Sequence, residues 1–69
     1  MKTIYDIQQF LKNFGTIIYV RDRVATLELM RDEIQELHRS NLMETKDYQT
    51  AILLLRQEIR LEMERKNKL

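Results

Sequence analysis

Residues 48–59 read YQTAILLLRQEI and hold the longest apolar run of the chain, Ala51-Ile52-Leu53-Leu54-Leu55, followed at once by Arg56-Gln57-Glu58. A run this apolar must be covered on more than one side, so other elements have to pack around it. At about 100° per residue, Tyr48, Ala51, Ile52, Leu55, Ile59 and Met63 fall on one helical face. Leu54 and Leu61, seven apart, fall on a second seam, and Leu53 stands off by itself. The stretch therefore predicts a long helix over about 45–66 that serves as the spine of a helical bundle.

The remainder fits around that spine. Thr3 is the expected N-cap of a first helix over about 4–14, with Asp6 placed to suit the positive end of the helix dipole. Ile4, Ile7, Leu11 and Phe14 make one apolar face, widened by Phe10. Gly15 is the natural residue just past the end, because it takes positive φ without steric cost. Residues 16–20 (TIIYV) are rich in β-branched side chains, favour extended backbone and have no second such run to pair with. They are read as an extended connector. A second helix is expected over about 22–39, with Asp22 as N-cap and Leu27, Met30, Ile34 and Leu37 as its buried stripe. Glu28, Asp32 and Glu36 lie four apart on its other side as a solvated acidic ridge. Asn41 can take the left-handed conformation past its end, and Leu42 and Met43 close the corner. With no proline and one glycine, the chain is predicted to be all-α, a small three-helix bundle with an extended connector between the first two helices.

At 69 residues the chain makes one domain at most. A domain this short buries only about 60% of its unfolded surface. It has no cysteine and one histidine, which excludes disulfides, thiolate metal sites and a histidine-rich metal site. No segment reaches the roughly 18 apolar residues of a membrane span. The first residues, MKTIYDIQQF, lack the apolar stretch of a secretory signal. A cytoplasmic protein with no membrane partner and no cofactor is the expectation. Charge is near balance at +1 but unevenly spread. Residues 1–23 and 48–69 each carry a net +2, and residues 24–47 a net −3. Either the ends pair with the middle, or they share a basic face.

The residues resemble the YqgQ-like family of short bacterial proteins. The likeness rests on Tyr5-Asp6-Ile7-Gln8-Gln9, on Phe14-Gly15-Thr16-Ile17-Ile18-Tyr19, on Met30-Arg31-Asp32-Glu33, and on Tyr48-Gln49-Thr50-Ala51 with Leu55-Arg56-Gln57-Glu58. It runs over nearly the whole chain, in order and at similar spacing. The family pattern often has glycine where this chain has Arg21, which makes a role for Arg21 less secure as a family trait. The resemblance implies an all-helical three-helix fold and a proposed role in binding single-stranded nucleic acid, and it brings no enzymatic activity with it.

Catalysis finds no support in the residues themselves. His38 and Ser40 are two apart and diverge on a helix. Gly15 alone makes no phosphate loop. The acidic ridge offers a cation only exposed oxygen ligands, a weak set. Single-strand binders combine cations along the backbone with aromatic platforms. Tyr5 and Lys12 share a flank of the first helix, and Tyr19, Arg21 and Arg23 follow them. The bland reading is that the tyrosines cover the core edge and the cations pair with the acidic middle. Arg56 and Arg60 lie at i, i+4, where like charges mildly destabilise a helix. What offsets them is either Glu33, Glu36 or Glu64, or a phosphate, since the planar guanidinium suits both.

Two functions follow. One is binding of single-stranded DNA or RNA with little base specificity through Tyr5, Lys12, Tyr19, Arg21, Arg23, Arg56 and Arg60. The other is a protein-interaction or dimerisation module, a homodimer formed through Leu54 and Leu61. Against the latter stands the wide apolar arc that any helix touched by two others requires.

Overall fold

Two local devices frame the first helix, α1 (Ile4–Asn13). At its start the Thr3 hydroxyl accepts from the Asp6 N–H at 3.2 Å, and the Asp6 carboxylate accepts from the N–H groups of Thr3 at 3.2 Å and Lys2 at 2.8 Å. This is a capping box with aspartate in the place usually held by glutamate or glutamine. At its end Gly15 has φ +80°. The Gly15 N–H bonds the Lys12 carbonyl and the Thr16 N–H bonds the Leu11 carbonyl, the paired bonds of a Schellman motif.

The computed structural model describes residues 1–16 and 21–66 and is all-α among them, with α2 (Arg23–Arg39) and α3 (Thr45–Lys66) completing a three-helix bundle. Asp22 caps α2, accepting from the Ala25 N–H at 3.0 Å. The helix closes on a second Schellman motif. Asn41 takes φ 60°, its N–H bonds the His38 carbonyl and the Leu42 N–H bonds the Leu37 carbonyl. The extended connector expected over residues 16–20 lies, apart from Thr16, outside the described residues.

The core joins all three helices. Ile7 and Leu11 of α1 meet Val24, Leu27, Met30, Ile34 and Leu37 of α2 and Ala51, Leu55 and Ile59 of α3, with Met43 closing the corner. Of the two corner residues only Met43 is buried; Leu42 is exposed. Burying one such large side chain contributes about 1.5–3 kcal/mol, so a handful of them decides whether a chain this short folds. The run at 51–55 divides as its helical spacing requires. Ala51 and Leu55 are fully buried, Ile52 and Leu54 pack at the core edge, and Leu53 is 65% exposed.

Two apolar residues besides Leu42 depart from the expected pattern. Phe14 does not sit in the core. It is the C-cap of α1, where the backbone leaves the helix, and its half-exposed ring rests on Phe10 with centroids 5.1 Å apart. Met63 is exposed as well. Four residues past Ile59 it has drifted about 40° further round the helix. Glu62, whose side chain is only 15% exposed, takes the inward direction instead.

α2 and α3 run antiparallel and are tied at both ends. At the corner the His38 ring stacks on Tyr48 with centroids 4.0 Å apart and planes 7° from parallel, and His38 Nε2 lies 3.3 Å from the Thr45 hydroxyl. At the far end Lys66 forms an ion pair with Asp22.

Candidate nucleic-acid interface

Because Ala51, Leu55 and Ile59 fix the inward side of α3, the positions at i, i+3, i+4 and i+7 from Leu53 must face out. Leu53, Arg56, Gln57 and Arg60 are all exposed and line a shallow open groove along that side. The groove belongs to α3 alone: neither Tyr5 nor Lys12 lines it.

The acidic residues expected to offset the arginines are engaged elsewhere or stand apart. Glu36 pairs with Arg39 at 3.1 Å, while Glu28 and Asp32 lie 3.8 and 3.9 Å from Arg31. Glu33 and Glu64 form no ion pair among the described residues. Glu62 pairs with Arg65 at 2.7 Å, while Lys66, at i+4 from it, reaches across to Asp22. Lys68, four residues past Glu64, lies outside the described residues. Among the described residues the side chains of Arg56 and Arg60 therefore make neither an ion pair nor a hydrogen bond.

The other predicted contact residues are distributed over the surface. Tyr5 is 65% exposed on α1, with Lys12 on the same flank and also exposed. Arg21 and Arg23 are exposed on either side of the Asp22 cap, and Lys12, Arg21 and Arg23 form no ion pair among the described residues. Tyr19 lies outside the described residues. Of the seven, the structure thus brings together Arg56 and Arg60 on α3, Tyr5 and Lys12 on α1, and Arg21 and Arg23 at the entry to α2. Leu54 and Leu61, the expected dimer seam, are half-buried, and Leu54 packs against the core. The exposed leucine of α3 is Leu53, which stands off the Leu54–Leu61 seam.

Electrostatics at the two N-caps follow from these contacts. The Asp22 carboxyl is held below the usual aspartate range, first by its hydrogen bond from Lys66 and then by the Ala25 N–H. Asp6 is held below it by the N–H groups of Lys2 and Thr3, Lys2 contributing most. His38 is taken up by Tyr48 and Thr45 at the corner rather than by Ser40. That stack joins residues ten apart across a turn, a contact with no local sequence signal. Among the described residues no group of three or more His, Cys, Asp or Glu side chains converges as a metal site would, and no helix is long and apolar enough to cross a membrane.

A family model for YqgQ-like proteins matches residues 1–61. A protein of Bacillus subtilis (strain 168), "Uncharacterized protein YqgQ", is 42% identical over 59 residues, which cover 86% of this chain and 83% of the relative. With three helices in the expected order and a match over most of its length, the chain belongs to the YqgQ-like family.

Proposed function

We propose that this protein binds single-stranded nucleic acid with little base specificity, with the outward face of α3 as its main phosphate-contacting surface. One observation carries the reading: Arg56 and Arg60 stand one helical turn apart, exposed, and without an acidic partner among the described residues. Two like charges at that spacing cost a helix stability. A bound phosphate backbone offsets the repulsion, and each guanidinium can hold a phosphate oxygen pair in a fork. Leu53 and Gln57 between them offer an apolar contact and an amide, neither of which selects a base by itself.

Tyr5 supports the same reading. An exposed ring with no aromatic neighbour among the described residues is a surface on which a base can stack, worth about 1–3 kcal/mol. Lys12 on the same flank supplies a second cationic contact, and Arg21 and Arg23 a third. A strand that reached all of these would have to wrap from one helix to another, so the α3 face is the contact on which the others depend.

Fluorescence anisotropy of a labelled single strand, titrated at low and at moderate salt, tests the proposal. Binding should weaken with salt, with a logarithmic slope of about −0.7 for each phosphate neutralised. Arg56→Glu/Arg60→Glu should weaken binding and flatten that slope. No binding at low salt, or binding indifferent to both salt and the double substitution, overturns it.

A further inference from the structure

We propose that this protein also associates with itself head to tail, the outward face of α3 in one copy lying along the outward face of α2 in the next. The two faces carry the same pattern with opposite charge. On α3 the exposed Leu53, Arg56 and Arg60 form the pattern, with the neutral Gln57 beside them; on α2 the exposed Leu29, Asp32 and Glu36 form it. Both triplets follow i, i+3, i+7, so each spans about 10 Å of helix and one narrow face. Laid parallel and in register, leucine meets leucine and each arginine meets a carboxylate. Laid antiparallel, each leucine would face a charge.

Within one chain these faces cannot meet. α2 turns Leu27, Met30, Ile34 and Leu37 to the core, and α3 turns Ala51, Leu55 and Ile59 to it, which leaves both triplets pointing away from the bundle. The pairing therefore has to form between copies. Leu29 and Leu53 are 44% and 65% exposed, and covering them puts an apolar contact at one end of the seam, beside the two charge pairs. The carboxylates are free to respond. Asp32 and Glu36 lie 3.9 and 3.1 Å from Arg31 and Arg39, with their side chains 63% and 61% exposed. Exposed ion pairs of this kind hold weakly and re-pair at little cost. The interface joins two different surfaces, so it propagates as a short open array or closes as a ring. A single helix-on-helix contact makes it a weak, transient association.

The association does not rest on the nucleic-acid reading, but it uses the same arginines. The acidic face of α2 stands where a phosphate backbone would lie, so a second copy and a nucleic acid compete for α3.

Sedimentation velocity of the nuclease-treated chain, from micromolar to millimolar concentration, provides the test. At about 0.02 M salt the mean mass should rise with concentration, and at about 0.5 M salt, where screening shortens the reach of charge, it should return to that of one chain. Arg56→Glu/Arg60→Glu and Asp32→Lys/Glu36→Lys should each leave a monomer. All four substitutions together exchange the charges of the two faces and should restore association. A monomer at every concentration in low salt overturns the proposal. So does an oligomer that survives high salt and both reversals, or a fourfold variant that stays monomeric while its helical circular dichroism is intact. Asp32→Lys/Glu36→Lys separates the two readings, because it should abolish self-association and leave oligonucleotide binding at least as tight as before. Self-association without oligonucleotide binding would leave this inference standing and remove the proposed function; the opposite result would do the reverse.

Discussion

Lys66, in the last turn of α3, donates to the carboxylate of Asp22, the residue that caps α2. One side chain thus serves two elements. Its oxygens satisfy the Ala25 N–H at the open end of α2 and also fasten the far end of α3. Asp22→Ala removes both contacts, whereas Asp22→Asn keeps an acceptor suited to an N-cap and gives up the charge. Lys66→Met removes only the bridge. Thermal unfolding should rank Asp22→Ala as the most destabilised, with Asp22→Asn and Lys66→Met close to each other and nearer the unsubstituted protein. Equal losses for all three would show that the cap contributes nothing beyond the bridge.

Acid should weaken the fold through the same residue. Asp22 and Asp6 both have carboxyls held below the ordinary aspartate value of 3.8. A carboxyl whose folded value is depressed contributes stability that is complete above its unfolded value and is lost as pH falls through the folded one. The contribution is therefore constant at neutral and mildly acidic pH and declines below about pH 4. Urea midpoints measured from pH 7 down to pH 2.5 should show that decline. Asp6→Asn/Asp22→Asn should be less stable at pH 7 and should lose less on acidification.

These two carboxylates also mark where the sequence could be read and where it could not. Thr3 with Asp6, Asp22, Gly15 and Asn41 announce helix ends because a cap is a contact between neighbours in the chain, and the structure uses each of them. The stripe Leu27, Met30, Ile34 and Leu37 was legible for a similar reason, since the helical period alone decides it. Lys66 with Asp22 was not, because residues 44 apart in sequence meet only once the α2–α3 pair has formed. Phe14 departs because a regular wheel assumes that the helix continues through it, and Met63 because it lies one turn past Ile59, where the drift of about 40° already carries the apolar stripe outward. At the candidate interface, charge spacing pointed to Arg56 and Arg60, but which acids they would or would not meet depended on packing.

The run at 51–55 invites a test of how sharply one helix divides its leucines. Leu55 is fully buried and Leu53 is 65% exposed, two residues away. Leu55→Ala should cost about 2–5 kcal/mol, as buried leucine truncations do. In a domain of this size that lowers the melting temperature by about 4–8 °C for each kcal/mol, enough to leave much of the chain unfolded at moderate temperature. Leu53→Ala should change stability by no more than about 0.5 kcal/mol. Chemical denaturation of the two variants measures the contrast, and comparable losses would contradict the burial pattern.

The stack of His38 on Tyr48 holds the corner between α2 and α3. Its rings lie nearly parallel, and Thr45 sits against the imidazole edge. Aromatic pairs in such contact are coupled by about 0.5–1.5 kcal/mol beyond the area they bury. A double-mutant cycle with His38→Ala and Tyr48→Ala should return a coupling in that range. Tyr48→Phe should keep most of it, because no hydrogen bond of the Tyr48 hydroxyl occurs among the described residues. Strictly additive losses would mean that the rings are merely adjacent.

Gly15 and Asn41 occupy equivalent places, one residue past a helix C-cap, both with positive φ and both donating the same Schellman bond. They differ in what the backbone requires of the side chain. A Cβ at Gly15 would have no atom within 4 Å, so any cost of substitution there is conformational rather than steric crowding by the bundle. Gly15→Ala should therefore lose about 1–2 kcal/mol, the penalty of left-handed backbone for an ordinary L-residue. Gly15→Asn should lose less, because asparagine tolerates that region. At the other corner Asn41→Ala should destabilise and Asn41→Gly should be neutral or stabilising, since glycine is the preferred residue at that position. Denaturation midpoints for the four variants give the comparison. If Gly15→Ala proved neutral, the loop after α1 would have to be able to relax away from positive φ.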